Sequence, residues 1–223
     1  MDDTQLSLSY APIIHYDLDE TIPLQRVGYT VFREEARSDS FPKRTVKPDK
    51  GGAVIEYALF WDYDIQHMYD LEHIWVWVDE DGYVIRAEGS FHGKYLVLWE
   101  PDMDFALPPE DGRVHAFCQP GKHAFLPSAE LFRLIPGWQE SCMENAGGEV
   151  LVGGAFGNTY QPTPEDDARC AAYIREHLSF TPTLRFDTGK PLPAEMLCTW
   201  EELKAWIPAR IEALCAGLRE ADR

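Results

Sequence analysis

The stretch that decides the fold runs from Ala53 to Trp99 and reads AVIEYALFWDYDIQHMYDLEHIWVWVDEDGYVIRAEGSFHGKYLVLW. Four of its segments are dense in β-branched and aromatic residues: Ala53–Asp62, Asp70–Asp79, Tyr83–Phe91 and Lys94–Trp99. Segments of this kind predict strands, and the short connections between them, such as Asp79-Glu80-Asp81-Gly82, predict hairpin turns. The stretch therefore predicts an antiparallel meander.

The second half of the chain predicts fewer strands and more helix. Two short strands are expected on either side of a turn at Gln119-Pro120-Gly121, and a short helix over 127–134. Thr163-Pro164 predicts the start of a helix that runs to about residue 178. Thr199 and Glu202 form a capping box before a C-terminal amphipathic helix, which Pro208 is expected to kink or divide.

Strands followed by helices predict an α+β fold that is mainly β, an antiparallel β-sandwich flanked by helices. We expect a single domain over residues 1–223, β-rich over 8–160 and helical over 163–223.

Composition excludes several classes of protein. The chain has 38 Asp and Glu against 20 Lys and Arg, a net charge of −18, so it lacks the basic face that nucleic-acid binding requires. No apolar run approaches the roughly 20 residues of a transmembrane helix. The first residues are acidic and polar, unlike a signal peptide, which predicts a cytoplasmic protein. The five cysteines are widely spaced, which predicts reduced thiols and argues against a cysteine-type zinc site.

The densest run of potential metal ligands lies between the first and second strand segments of the meander, at Trp61–His73. Side chains alternate along a strand, so Asp70 and Glu72 share one face while Leu71 and His73 point to the other. Asp62 or Asp64 ends the preceding strand, and the short connection returns His67 toward the same place.

Three carboxylates and an imidazole so close together are costly unless they are neutralised, and a divalent cation removes that cost. The donor set suits Mg²⁺, Ca²⁺ or Mn²⁺, and additional histidines such as His92 or His123 would favour Zn²⁺. The alternative is that these acids are solvated turn residues in an acidic chain. Of the other histidines, His73 is expected to lie in the core, and three are expected at the surface or at caps: His15, His115 and His177.

Two segments, Tyr57–Val76 and Ser90–Tyr95, resemble the necrosis- and ethylene-inducing peptide-like (NLP) proteins. The NLP heptapeptide reads GHRHDWE, and its first His, its Asp and its Glu match His67, Asp70 and Glu72. The wider superfamily includes vacuolar-sorting-type proteins, whose opening is similar to the chain from Tyr10 to Pro23. Four heptapeptide positions differ in this chain: Gln66, Met68, Tyr69 and Leu71.

The resemblance implies a β-sandwich with flanking helices and a divalent cation. The cation would be held by His67, Asp70, Glu72 and an upstream acid, which Asp64 matches better than Asp62. The cytolytic activity of NLP proteins on plant membranes transfers poorly to a strongly acidic chain with an odd number of cysteines.

The leading hypothesis is a metal-dependent hydrolase acting on a small, carbohydrate or phosphate-bearing substrate. In it, His123 or His92 serves as general acid or base, and Lys122 stabilises developing negative charge. The second hypothesis is a metal-assisted module that binds glycans or lipid head groups without chemistry. Trp61, Trp75, Trp77 and Trp99 would then stack on sugar rings, although strand tryptophans more often fill cores. The third is a structural protein whose acids cap turns.

Overall fold

A computed structural model describes residues 1–148 and 163–221 of the chain. The helices and strands, in chain order, are α1 (Asp3–Ser9), β1 (Ile13–His15), β2 (Leu24–Phe32), β3 (Ala36–Arg37), β4 (Thr45–Val46), β5 (Ala53–Tyr63), β6 (Met68–Val78), β7 (Val84–Phe91), β8 (Lys94–Trp99), β9 (His115–Cys118), β10 (Phe125–Leu126), α2 (Pro164–Tyr173), β11 (Lys190–Pro191), β12 (Leu197–Thr199) and α3 (Trp200–Ala221). Short 3-10 turns cover Ala129–Leu134, Glu140–Cys142 and Ala194–Met196, and a π-helical turn covers Ile174–Leu178. The predicted end of the β-rich part, residue 160, lies outside the described residues.

The largest sheet has six strands in the order β12-β2-β5-β6-β7-β8. Its strands β5 to β8 form the predicted antiparallel meander. In the β5–β6 hairpin, Trp61 lies opposite Asp70 and Leu59 opposite Glu72, whereas Phe60 lies opposite Leu71. The predicted alternation of β6 is therefore confirmed, with Asp70 and Glu72 on one face of the sheet.

A second sheet, in the order β10-β9-β1-β11, packs on the face that carries Trp61. The approach is close at Gly89, where an added Cβ would lie 2.7 Å from Cβ of Phe125 in β10. Two packed sheets with flanking helices confirm the predicted α+β sandwich. Two pairings differ from the antiparallel expectation, since β1–β9 and β12–β2 are parallel.

Helix α3 covers the opposite face of the six-stranded sheet. Leu203 packs where Gly28 leaves room on β2, and Trp206 meets Phe60 edge to face. Of the two predicted effects of Pro208, a kink or a division, division is excluded because α3 is one continuous helix. Proline removes a single hydrogen bond, while Leu203, Ile207 and Ile211, before and after it, are all buried.

Helix α2 begins as predicted. Thr163 caps it by accepting a hydrogen bond from the backbone N–H of Asp166, and Pro164 is its first residue. Asp166 also accepts two hydrogen bonds from Arg219, at 2.8 and 2.7 Å, which tie α2 to the end of α3.

Two histidines expected at the surface are buried. His15 and His115 lie side by side on the parallel strands β1 and β9, with 2.9 Å between His15 Nε2 and His115 Nδ1. His15 Nδ1 donates to the Asp187 carbonyl at 3.1 Å. The surface prediction for both is wrong because β1 forms an inner strand of the second sheet, whereas His177 is exposed as predicted. His73 is buried, as expected.

In the described part of the chain, no helix combines the length and the apolar character needed to cross a membrane.

Candidate functional site

The acids predicted to converge lie at the end of the β5–β6 hairpin. The chain reverses there through a tight turn in which the backbone N–H of Asp64 donates to the His67 carbonyl at 2.9 Å. A second turn, from Gln119 to His123, packs against the first, and the backbone N–H of Ile65 donates to the Gly121 carbonyl at 2.7 Å. The two turns together enclose five side chains that we call the acid cluster: Asp64, Asp70, Glu72, Lys122 and His123.

Asp64 is buried, and its carboxylate accepts hydrogen bonds from residues of both turns. Lys122 Nζ lies 3.1 and 3.2 Å from its two oxygens, and the backbone N–H of Gln66 donates to it at 2.6 Å. Burial raises the pKa of Asp64, although the charges of His67 and Lys122 act against that rise. His67 Nε2 is 3.8 Å from the carboxylate, and its Nδ1 donates to the backbone carbonyls of Met68 and Tyr69.

Asp70 is paired with His123. The imidazole Nδ1 donates to Asp70 Oδ2 at 3.1 Å, and the ring stacks flat on Trp61 with 4.4 Å between ring centroids. Burial acts to raise the pKa of Asp70, but the hydrogen bond and charge of His123 outweigh it and the pKa is lowered. For His123, burial acts to lower the pKa, but Asp70 and the charge of Glu20 raise it above its ordinary value.

Glu72 has no cation of its own among the described contacts. It is buried, and its carboxylate accepts a hydrogen bond from the Ser90 hydroxyl. Burial and the charges of Asp70 and Asp64 raise the pKa of Glu72 well above its ordinary value. Asp70 and Glu72 share one face of β6, as the strand pattern predicts.

Backbone strain accompanies the cluster. His123 has φ +54° and Tyr69 has φ +44°, in the left-handed region that residues other than glycine rarely adopt. Strain of this kind concentrates at functional sites, where the surrounding structure holds it in place.

Two of the predicted site residues lie apart from the cluster. Asp62 shares the face of Phe60, opposite to that of Asp70, and its carboxylate accepts hydrogen bonds from Arg210 of α3 at 2.8 and 2.6 Å. The structure therefore corrects the inclusion of Asp62, because strand alternation directs it to the helix side of the sheet. His92 is exposed and donates to Gln119 Oε1 at 2.9 Å; in the described residues no hydrogen bond or ion pair joins it to the three acids.

One residue that sequence reasoning missed is Glu20. Its carboxylate accepts the backbone N–H groups of Thr21 and Ile22 and, at 2.7 Å, that of Gly121. Glu20 thereby fixes the turn that carries Lys122 and His123. No local pattern in the sequence indicates a contact between residues 101 positions apart.

The tryptophans proposed as sugar platforms mostly fill the core. Trp61, Trp75 and Trp77 are buried, and Trp99 is partly buried against the same core. Their burial agrees with the alternative interpretation, in which aromatic residues on strands pack in the core and do not stack on sugar rings.

The donor set of the acid cluster has the chemistry that a divalent cation requires, namely carboxylate oxygens and imidazole nitrogen. His123 Nε2 is also buried without a hydrogen-bond partner in the described part of the chain. As the side chains stand, however, no group of three or more His, Cys, Asp or Glu within residues 1–148 and 163–221 is arranged to hold a metal ion. The cation site stays a prediction.

No protein-family model matches the chain, and no curated protein matches it. Three solved structures are similar to it. Necrosis and Ethylene inducing Protein 2 from the causal agent of cocoa's Witches Broom disease is 14% identical, with a TM-score of 0.37 over 63% of this chain and 79% of that one. NLPPya in complex with glucosamine is 15% identical, with a TM-score of 0.38 over 76% of this chain and 90% of that one. A substituted form of NLPPya is 15% identical, with a TM-score of 0.35 over 67% and 84%. The chain is thus distantly similar to NLP structures, the family that its sequence resembles.

Proposed function

We propose that the acid cluster binds one divalent cation and through it an oxygen-bearing ligand, without chemical change of that ligand. The observation that carries the proposal is that Asp70 and Glu72 share one face of β6, while the adjacent residues Lys122 and His123 contact Asp64 and Asp70. Mg²⁺, Ca²⁺, Mn²⁺ and Zn²⁺ are the candidate ions, and His67 would supply a nitrogen donor.

Two contacts and one pKa shift offset part of the negative charge of the cluster. The Lys122 ammonium group pairs with the Asp64 carboxylate, and the His123 imidazole pairs with the Asp70 carboxylate. Burial raises the pKa of Glu72. A divalent cation would compete with the Lys122 ammonium for Asp64 and with the protons of Glu72 and His123. Binding is therefore expected to move Lys122 and to release protons near neutral pH.

Binding is favoured over catalysis by the burial of His123. Its side chain has no exposed area and lies flat on Trp61, so a substrate in solution does not reach it. A general acid or base must come within hydrogen-bond distance of the reacting group.

Metal-dependent hydrolysis is the second candidate, and one contact favours it. Lys122 keeps some exposure beside Asp64, where its ammonium group would stabilise negative charge that develops on a substrate oxygen. Turnover of phosphoester, ester or glycoside substrates that disappears with chelator would establish this candidate in place of the first.

The ligand class is tested by titrating small hydroxyl-bearing molecules against the metal-loaded protein, with glucosamine among them because it is the molecule named in the NLPPya complex. Calorimetric binding that requires the added cation, and that Glu72→Gln abolishes, would support the proposal. Binding of equal strength with chelator would contradict it.

We also propose that the protein works in a reducing compartment such as the cytoplasm. All five cysteines are buried and free, which supports this location. Thiol counting on freshly prepared native protein, unfolded under alkylating conditions, should find five free thiols.

A further inference from the structure

A cavity of about 540 Å³ lies beside the acid cluster, between the 16–24 segment and the 187–196 segment. Its size falls within the range of small-molecule sites in proteins, roughly 300–1,000 Å³. Most of its lining is apolar: Ile14, Leu18, Ile22, Pro23, Leu24, Pro191, Leu192, Pro193 and Met196.

The carboxylates of the lining differ in how many of their hydrogen-bond acceptor sites remain free for a ligand. The Asp17 carboxylate accepts four hydrogen bonds, from Asp19, Leu184 and twice from Thr183. Both oxygens of Glu20 accept backbone N–H groups. Because these two acids are satisfied by the chain itself, they contribute negative potential to the cavity but few acceptors.

Asp187 is different. Its Oδ1 accepts the backbone N–H groups of Tyr16 and Gly189, at 3.2 and 3.0 Å, and no contact of Oδ2 is recorded in the described part of the chain. Tyr16 also lines the cavity, and its buried hydroxyl has no hydrogen-bond partner among the described residues. Because this hydroxyl has almost no solvent-accessible area, a molecule in the open cavity does not reach it.

The charges select the kind of molecule. Three carboxylates line the cavity against one cation, Lys190, which is exposed. A hydrocarbon chain or ring fits the apolar lining, and a positively charged head fits the acids, with a hydrogen bond to Asp187 Oδ2. We propose that this cavity binds a small amphipathic amine, at a site separate from the acid cluster.

Three molecules of one shape test the proposal by calorimetry: octylamine, octanol and octanoate. We expect octylamine to bind about tenfold more tightly than octanol, with octanoate the weakest, because a charge-assisted hydrogen bond is stronger than a neutral one. Asp187→Asn keeps the Oδ1 acceptor of the two backbone N–H groups and should reduce the preference for the amine over the alcohol, with the remainder due to Asp17 and Glu20.

Variants that occupy space complete the design. Met196→Trp at the partly exposed wall should abolish binding of all three molecules, and Leu18→Trp at the 55% exposed rim serves the same purpose if the first variant does not fold. Leu134→Trp, at a position 77% exposed and outside the lining, is the matched control and should bind like the parent protein. Tightest binding of octanoate, unchanged binding after either filling variant, or no binding to the parent protein would overturn the proposal. Unchanged octylamine binding in Glu72→Gln would separate this cavity from the cation site.

Discussion

The six-stranded sheet carries a buried charge network on each face, and the two networks balance their charges differently. On the helix side, the Arg44 guanidinium pairs with Glu88 and lies 3.9 Å from the ring centre of Trp75 and 4.0 Å from that of Tyr95. We call this group the arginine network. On the other side, the acid cluster has three carboxylates and relies on Lys122 and His123.

The arginine network contains neutral partners, although Arg44 Nε, Arg44 Nη1 and His73 Nδ1 are buried without a hydrogen-bond partner among the described residues. Glu56 accepts hydrogen bonds from Ser40 and from Trp75, each at 2.6 Å, and His73 donates from Nε2 to Ser40 at 3.0 Å. Burial lowers the pKa of His73 to about 3, so this imidazole is neutral. The permanent charge of Arg44 and these fixed contacts indicate a structural role.

The acid cluster instead uses groups that change their charge or position. Glu72 and His123 have raised pKa values, and Lys122 is a flexible side chain on a turn. The comparison teaches that burial of charge does not by itself define a site. A candidate site is a place where buried groups can change their protonation or position when a ligand binds.

The largest expected difference between the networks is in stability. Arg44→Met leaves Glu88 buried with only the partly exposed Arg86 as a cation, and should lower the free energy of unfolding by about 3–5 kcal/mol. Lys122→Met should lower it by about 1–2 kcal/mol, because Asp64 keeps the Gln66 N–H bond and protonates at lower cost. Urea denaturation of both variants measures the difference, and equal losses would remove the distinction between the networks.

A second test uses the raised pKa of Glu72. A carboxyl whose pKa is higher in the folded than in the unfolded protein adds stability that is complete below the ordinary value of 4.5 and is lost as pH rises through the folded pKa. Glutamine does not ionise, so Glu72→Gln does not lose this stability as the pH rises. Its free energy of unfolding should therefore increase relative to that of the parent protein from about pH 5 upward. Each unit of pKa elevation corresponds to about 1.4 kcal/mol.

Glu130→Gln is the control for this pH series, since Glu130 is 77% exposed and its variant should follow the parent curve. A constant difference between Glu72→Gln and the parent from pH 5 to about pH 9 would show that Glu72 does not have a raised pKa.

The smallest expected effect concerns Asp62. Its pair with Arg210 is partly exposed, so Asp62→Asn should cost about 1 kcal/mol or less and leave cation binding unchanged. Asp64→Asn should weaken cation binding by at least about tenfold. Loss of cation binding in Asp62→Asn would return Asp62 to the predicted ligand set.

The sequence predicted the meander and the shared face of Asp70 and Glu72, because strand periodicity is local and strong between Ala53 and Trp99. It did not predict β2, although Val27 to Phe32 is typical of a strand, and it placed His15 and His115 at the surface. The errors on the two histidines concern the second sheet, whose strands β1, β9 and β11 are two to four residues long and are paired across large sequence distances.

The predicted site had a similar limit. His67, Asp70 and Glu72 follow from one hairpin, whereas the pairing of Lys122 with Asp64 depends on a second turn and on Glu20. Asp62 was included because two acids end β5, and only the register and α3 show that Arg210 binds the first of them. Long-range contacts of this kind leave no pattern in a single sequence.

The most direct test of the central claim is calorimetric titration of the parent protein with each of Mg²⁺, Ca²⁺, Mn²⁺ and Zn²⁺ at neutral pH, in buffers of different ionisation enthalpy. We predict that at least one ion binds with one-to-one stoichiometry and releases protons, and that Asp70→Asn and Glu72→Gln abolish this binding while Asp62→Asn retains it. Absence of binding by all four ions, or binding that persists in Asp70→Asn and Glu72→Gln, would contradict the account.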